Sequence, residues 1–212
     1  MARKREKDAA AFRDKVCLAA IHLFAERGIA GVTMRALAQA MGTSTMKTYH
    51  YFQDKDEILA EVLTRTFNRF ADVLDAAGAI EGNAYERARA KRYAYVQFAL
   101  TEPESYRLMF EMPHPHEHAY PQMAAAMDRT RSGMRKSMEE LLVAGLVQGN
   151  PDFIGHAFWS SMHGAVSLYL AGKMSPGINP DDVVDVGILG LFGFLSPKNP
   201  LAEEYTAKYP TA

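Results

Sequence analysis

The chain has 212 residues, of which 48% are hydrophobic and 23% charged, proportions ordinary for a globular protein with a core of its own. The net charge of −1 excludes a uniformly basic nucleic-acid binder, yet residues 1–55 contain ten Lys or Arg and only five Asp or Glu. Such a basic N-terminal part suits a protein that contacts phosphates at one end only. No apolar run approaches the roughly 18 residues of a membrane span, and MARKREK lacks the apolar stretch of a signal peptide, so we expect a cytoplasmic protein.

The N-terminal segment combines a charged start with a helical pattern. Residues 1–10 are charged or small, and we expect a flexible arm that either reaches DNA or stays solvated. Residues 11–27 carry apolar side chains at helical spacing, which predicts a helix that ends at Gly28. The single cysteine, Cys17, falls on the apolar stripe, so we expect a space-filling role in the core rather than redox sensing.

Residues 33–59, TMRALAQAMGTSTMKTYHYFQDKDEIL, predict two short helices followed by a long one. The first covers residues 34–41, with Thr33 as its N-cap and Gly42 as its stop. The second covers residues 45–51 and begins after Ser44 or Thr43.

The long helix begins at the capping box of Asp54 and Glu57 and runs to about Ala77. Two short helices joined by a tight turn form a helix-turn-helix, whose second helix can enter the major groove of DNA.

This segment resembles the DNA-binding domain of the TetR family of bacterial transcriptional regulators. The most specific part is the run YHYF followed three residues later by Lys55. The full set of matching residues is Phe24, Gly28, Thr33, Leu37, Ala38, Gly42, Ser44, Tyr49, His50, Tyr51, Phe52, Lys55 and Leu59. The resemblance implies a homodimeric, all-helical repressor under the control of a ligand. One departure is Met46, where many relatives have Gly or Pro, and it leaves the base preference open.

The predicted DNA contacts are side chains with polar tips on or beside the motif. They are Thr33, Arg35, Ser44, Thr45, Lys47, Thr48, Tyr49, His50 and Lys55. Lys47, Tyr49 and Lys55 are the candidates for phosphates, which set register and salt-dependent affinity. Arg35 and Thr45 are the candidates for base edges. We place this DNA-binding domain at residues 1–56.

The rest of the chain, residues 57–212, predicts a larger helical regulatory domain, and the fold class is therefore all-α. After the long helix, further helices are predicted at 83–101, 103–110, 122–147, 152–173 and 180–195, with an irregular tail from Ser196. A loop at 112–121 holds His114, His116 and His118. These imidazoles suit a transition metal, but their alternation in a loop favours solvation, and we predict no metal and no cofactor.

The last two predicted helices are apolar almost all round, although a helix at a protein's edge should have one wet face. We therefore expect a dimer interface built as a four-helix bundle, with two helices from each chain. The run FWSSMHGAVSL also resembles the signature of the WHG subclass of TetR regulatory domains. The predicted interface residues are Trp159, His163, Gly164, Leu168, Val184, Ile188 and Leu191.

A set of aromatic and methionine side chains either lines an effector pocket or forms ordinary core. They are Tyr93, Tyr95, Phe98, Tyr106, Met109, Phe110, Met123, Met127 and Phe158. Met-rich walls deform easily and suit broad hydrophobic ligands.

The sequence thus predicts a ligand-responsive regulator, most simply a repressor, that binds a palindromic operator. One alternative is a small-molecule sensor that acts through a protein partner without binding DNA. An enzyme is disfavoured because no nucleophile–base, P-loop or paired-carboxylate pattern is present.

Overall fold

A computed structural model describes residues 2–199 of the chain, with side chains from Lys7 onward. Within this part the secondary structure is helical, with no strand, which confirms the all-α prediction. The helices are α1 Ala2–Gly31, α2 Met34–Ala40, α3 Thr45–Tyr51, α4 Lys55–Gly78, α5 Ala84–Thr101, α6 Pro103–Phe110, α7 Pro121–Val143, α8 Pro151–Leu170 and α9 Pro180–Leu195. None of the helices in this described part is long and apolar enough to cross a membrane.

Helix α1 departs from the prediction at its start and agrees with it near its end. The helix already begins at Ala2, so the expected flexible arm over residues 1–10 is wrong for the part that is described. The predicted stop at Gly28 is present as a break, because this residue has φ 68° and ψ 164° inside the helical run.

Helices α7 and α8 both end earlier than predicted, at left-handed glycines. Helix α7 stops at Val143 rather than at residue 147, because Gly145 takes φ 66°. The N–H of Leu146 then donates to the Leu141 carbonyl at 3.0 Å, which satisfies an otherwise orphaned acceptor. Gly172, with φ 64°, follows the end of α8 in the same way.

The chain packs as two compact units. The first unit is the chain up to Arg69 together with Glu102–Asp128, and the second is Phe70–Thr101 with the chain from Arg129 onward. The first unit therefore extends beyond the predicted DNA-binding domain of residues 1–56, whose boundary stays a prediction. Helices α4 and α7 each contribute residues to both units.

In the first unit, α1 packs against α2, α3 and α6. Its largest fully buried side chains are those of Phe24, Leu37, Phe52, Ile58, Leu59, Leu63, Tyr106, Leu108, Met109 and Met123. Cys17 belongs to this core, and burial raises the pKa of its thiol to about 12. The thiol therefore stays protonated at neutral pH, which fits the predicted space-filling role.

In the second unit, α5 packs against α8 and α9, and α8 packs extensively against α9. An aromatic cluster forms part of this core: the ring of Phe70 lies 5.6 Å from that of Tyr95 and 5.0 Å from that of Phe98. Ser196 ends α9, as predicted, and the tail beyond Asn199 lies outside the described residues.

Candidate nucleic-acid interface

The predicted helix-turn-helix is formed, and its caps are the predicted ones. The Thr33 hydroxyl accepts from the N–H of Ala36 at 3.1 Å and begins α2. Gly42 adopts φ 62° in the turn, and the Ser44 hydroxyl accepts from the N–H of Lys47 at 3.2 Å to begin α3. Thr33 and Ser44 are exposed but serve as caps, so their predicted DNA contacts stay predictions.

The next helix is also capped as predicted. The Asp54 carboxylate accepts from the N–H of Glu57 at 2.8 Å, and the Glu57 carboxylate accepts from the N–H of Gln53 at 2.6 Å. This pair of bonds fixes the entry into α4 directly after α3.

Thr48 is the buried anchor of α3, and its predicted contact with DNA is wrong. Its side chain has no exposed surface, and its hydroxyl donates to the Ser44 carbonyl at 3.4 Å. Phe52, one turn further along, is also buried. Residues 48 and 52 therefore mark the inner side of the helix, because positions four apart share a face.

The outer side of α3 carries four exposed side chains: Met46, Lys47, Tyr49 and His50. Three of them were predicted from the sequence. Met46 was not, because its lack of a polar tip excluded it from the predicted set, yet it is 84% exposed.

Two side chains of α3, one in its first turn and one at its end, contact an aromatic ring of α1. The ring of Phe12 on α1 lies 4.5 Å from that of Tyr51. The Lys47 ammonium lies 4.7 Å from the centroid of the same Phe12 ring, a cation–π contact that leaves the lysine exposed. Lys47 is therefore held beside α1 and still open to an anion.

Arg13 on α1 joins the end of α3 to the beginning of α4. Its Nη1 donates to the Tyr51 carbonyl at 2.6 Å, and its Nε donates to Glu61 at 2.7 Å. Glu57 accepts from Nη2 at 3.4 Å, and the guanidinium stacks 4.1 Å from the centroid of the Phe52 ring. Burial lowers the pKa of Arg13, but Glu61 and Glu57 raise it above its ordinary value, so the group stays charged.

The remaining predicted DNA contacts differ in how accessible they are. Arg35 is exposed, and Thr45 is half-buried. The Lys55 ammonium donates to the Ile29 carbonyl at 2.8 Å, just after the break at Gly28. Lys55 thus has a structural partner in the first unit, and its phosphate contact stays a prediction.

The predicted interface residues on α8 and α9 divide into outward and inward ones. Leu168 is 50% exposed, whereas Val184 and Ile188 are buried within the second unit, so their predicted role in a dimer interface is wrong. The remaining predicted interface residues are half-buried, namely Trp159, His163, Gly164 and Leu191.

Outward on α9, in place of Val184 and Ile188, are Val183, Val186, Leu189 and Phe194. A helix that is apolar almost all round gives no sequence signal for which of its sides packs against the rest of the chain.

The predicted pocket residues are distributed over both units. Tyr95, Phe98 and Phe158 are buried in the second unit, and Trp159 donates its indole N–H to the Tyr95 hydroxyl at 3.1 Å. In the first unit the buried members are Tyr106, Met109, Met123 and Met127, and Phe110 is half-buried. Tyr93 is 55% exposed, and its assignment as a lining residue stays a prediction.

The three loop histidines do not form a cluster. The Nε2 of His114 is 3.0 Å from the Leu108 carbonyl, and the ring packs edge-on against Phe67. His116 and His118 are exposed. Among residues 7–199, whose side chains the structure describes, no three His, Cys, Asp or Glu side chains are arranged to hold a metal ion.

Comparison with protein families gives two matches. Residues 18–62 match the family model for bacterial regulatory proteins of the tetR family, and residues 88–191 match the tetracyclin repressor-like C-terminal domain. The first match contains the whole helix-turn-helix, and the second contains α8 and most of α9.

Similar proteins include both a transcriptional activator and a transcriptional repressor. The HTH-type transcriptional activator FasR of Mycolicibacterium smegmatis is 29% identical over 113 residues, covering 53% of this chain and 50% of that protein. The HTH-type transcriptional repressor KstR2 of the same species is 28% identical over 104 residues, covering 45% and 51%. The chain thus spans about half the length of these curated relatives.

A solved structure shares the fold. The TetR family transcriptional regulator PfmR from Thermus thermophilus superposes with a TM-score of 0.67 at 19% identity, covering 83% of this chain and 96% of that one.

We expect Arg13→Ala to destabilise the first unit, because the substitution orphans the Tyr51 carbonyl and removes one of the guanidinium groups that pair with Glu61. The expected loss is about 2 kcal/mol of unfolding free energy, measured by equilibrium urea denaturation. The control is Arg27→Ala, whose exposed pair with neighbouring Glu26 should contribute less than about 0.5 kcal/mol. Equal stabilities of the two variants would contradict this role for Arg13.

Proposed function

Because the chain belongs to the TetR family of bacterial DNA-binding transcription regulators, we propose that it binds a palindromic operator as a homodimer and is released by a small hydrophobic effector. The observation that carries the proposal is the outer face of α3, where Lys47, Tyr49 and His50 are exposed on a fully capped helix-turn-helix. A DNA-bound regulator works where the chromosome is, which is the cytoplasm.

In the proposed complex, α3 lies in the major groove. Lys47 and Tyr49 contact phosphates, and Arg35, Thr45 and His50 reach base edges. Two copies related by a two-fold axis read adjacent grooves, so the half-sites lie about 34–36 Å apart or a multiple of the helical turn. The basic excess of residues 1–55 supports this orientation because it places positive charge near the phosphates.

Repression is the simpler output of such binding. A bound dimer excludes other proteins from the same stretch of DNA, and no further contact is needed. The relative named a repressor supports this choice. The relative named an activator shows that similar chains also include activators.

Exposed apolar side chains on α8 and α9 support the homodimer. Phe153 and Leu168 on α8 are each 50% exposed, and Val186 and Leu189 on α9 are 73% and 59% exposed. The two helices pack against each other, and each of them presents exposed apolar side chains. We infer that these side chains form the interface with a second copy, because exposed apolar patches mark interaction sites and a two-fold pair of such helices makes a four-helix bundle.

We expect Lys47→Ala to weaken binding to all duplex sequences and to flatten the salt dependence, because each lost phosphate contact lowers the slope of log affinity against log salt by about 0.9. Titrations of a labelled operator between low and moderate salt measure the slope. The control is Lys173→Ala, an exposed lysine beyond α8 that should leave the slope unchanged.

An unchanged slope for Lys47→Ala would remove this residue from the phosphate contacts. Failure of the wild-type chain to bind any duplex would instead favour the alternative function, a sensor that acts through a protein partner.

We expect Val186→Asp to produce folded monomers, because the side chain is exposed in the single chain and the charge would be buried in the dimer. Sedimentation velocity gives the mass, and circular dichroism reports the fold. The matched control is Val143→Asp on α7, where the native side chain is 90% exposed and lies outside the α8–α9 surface. An unchanged dimer in the Val186 variant, or a wild-type monomer, would contradict the proposed interface.

Buried aromatic and methionine side chains support a hydrophobic effector. Met109 and Met123 are almost fully buried in the first unit, and Tyr95, Phe98 and Phe158 are buried in the second. Methionine side chains rearrange around ligands of different shape at low cost. Release from DNA follows when the effector prefers a conformer in which the recognition helices are wrongly spaced.

We expect lipophilic or aromatic metabolites that raise the melting temperature to lower operator affinity as well, because an effector that prefers the conformer with wrongly spaced recognition helices stabilises the folded chain and depopulates the conformer that binds DNA. A thermal-shift screen finds the compounds, and operator titration with and without each one measures the coupling. Polar analogues of each compound serve as controls. Stabilising compounds that leave operator affinity unchanged would contradict effector control.

A further inference from the structure

The centre of the exposed face of α3 is an apolar side chain. We propose that Met46 contacts the C5-methyl group of a pyrimidine in the major groove, the group that thymine and 5-methylcytosine share, and thereby sets the base preferred at that operator position. The inference rests on the proposed function, since it takes α3 as the helix that lies in the groove.

The position of Met46 follows from the geometry of α3. Residues advance by about 100° around a helix, so Met46 and His50 lie within about 40° of each other, and Thr48 lies about 160° away from both. Thr48 is fully buried and Met46 is 84% exposed, the largest exposed fraction of any apolar side chain on this helix. The direction opposite the buried anchor is the direction that meets the groove floor.

The neighbours of Met46 leave it the central place. Lys47, one residue on, is turned about 100° around the helix and is held over the Phe12 ring of α1. Thr45 is turned by the same angle to the other side and is half-buried. Lys47 thus lies on the side of α3 that faces the phosphates, Thr45 lies on the opposite side, and Met46 points between them.

A single exposed methionine is ordinary on a protein surface. At this position, however, its chemistry restricts what it can contact. The major-groove edges of guanine, adenine and unmethylated cytosine present hydrogen-bond donors and acceptors, whereas thymine adds a methyl group. A thioether chain satisfies no donor or acceptor well, so covering a polar edge would leave it unpaired. Contact with a methyl group removes apolar surface from water on both sides.

Insertion of the side chain between base pairs is the other use of an apolar residue at DNA. Such wedges enter through the minor groove and kink the duplex. The second helix of a helix-turn-helix enters the major groove instead. The methyl contact is therefore the use that fits the position of Met46.

The test begins with an operator selected from a random duplex library by the wild-type chain. Each thymine of this operator is then replaced by deoxyuridine, which removes only the methyl group. Each cytosine is separately replaced by 5-methylcytosine. We expect one thymine per half-site whose replacement weakens wild-type binding about four-fold, the value of one buried methyl group. If the preferred pyrimidine is cytosine, its methylation strengthens binding by a similar factor.

Met46→Ala should bind the thymine and deoxyuridine operators equally, while Lys47 still gives it the wild-type salt slope. The control is Leu18→Ala on α1, an apolar side chain of the same unit that is 70% exposed and should keep the wild-type ratio. Both variants should keep the wild-type melting temperature because neither side chain is part of the core.

The outcomes separate the two proposals. A wild-type chain that selects no duplex would end the proposed function itself. A selected operator that is indifferent to every pyrimidine methyl group would overturn only the role of Met46. A Met46→Ala variant that keeps the thymine-to-deoxyuridine ratio would overturn it as well.

Discussion

The candidate interface depends on the way Arg13 holds the end of α3. A helix of seven residues has no stability of its own, and its last carbonyls have no partners within the helix. The Arg13 guanidinium supplies both a donor to the Tyr51 carbonyl and a positive charge at the negative end of the helix dipole. Glu57 and Glu61 on α4 balance that charge, and Glu61 also accepts from Arg65 at 2.5 Å. One cation thereby fixes the orientation of three helices relative to one another.

This anchoring explains how so short a helix can present so much side-chain surface. Thr48 and Phe52 are the inward residues, and the contacts of Phe12 with Tyr51 and Lys47 hold the side facing α1. Because these few contacts hold α3 in place, the side chains on its other side do not have to pack and remain exposed. A helix that packed on two sides would have lost the very residues that the proposed function requires.

Local features of the fold were readable from the sequence, and distant ones were not. The caps at Thr33 and Ser44 and the turn at Gly42 were predicted correctly, because each depends on residues within four positions. The role of Arg13 was missed because its partners lie 38 to 48 residues away. Thr48 was misassigned because two helical turns give too few apolar positions to show which face is buried.

Helix α9 poses the same difficulty in a stronger form, because it is apolar almost all round. Its glycines show how its sides differ. A side chain at Gly187 would collide with the hydroxyl of Ser161 on α8, so this glycine serves the close approach of the two helices within one chain. A side chain at Gly190 or Gly193 would meet nothing within 4 Å. The glycines of α9 therefore have two roles. Those facing α8 are required for the fold of the single chain, and those facing outward remain available for a second copy to approach.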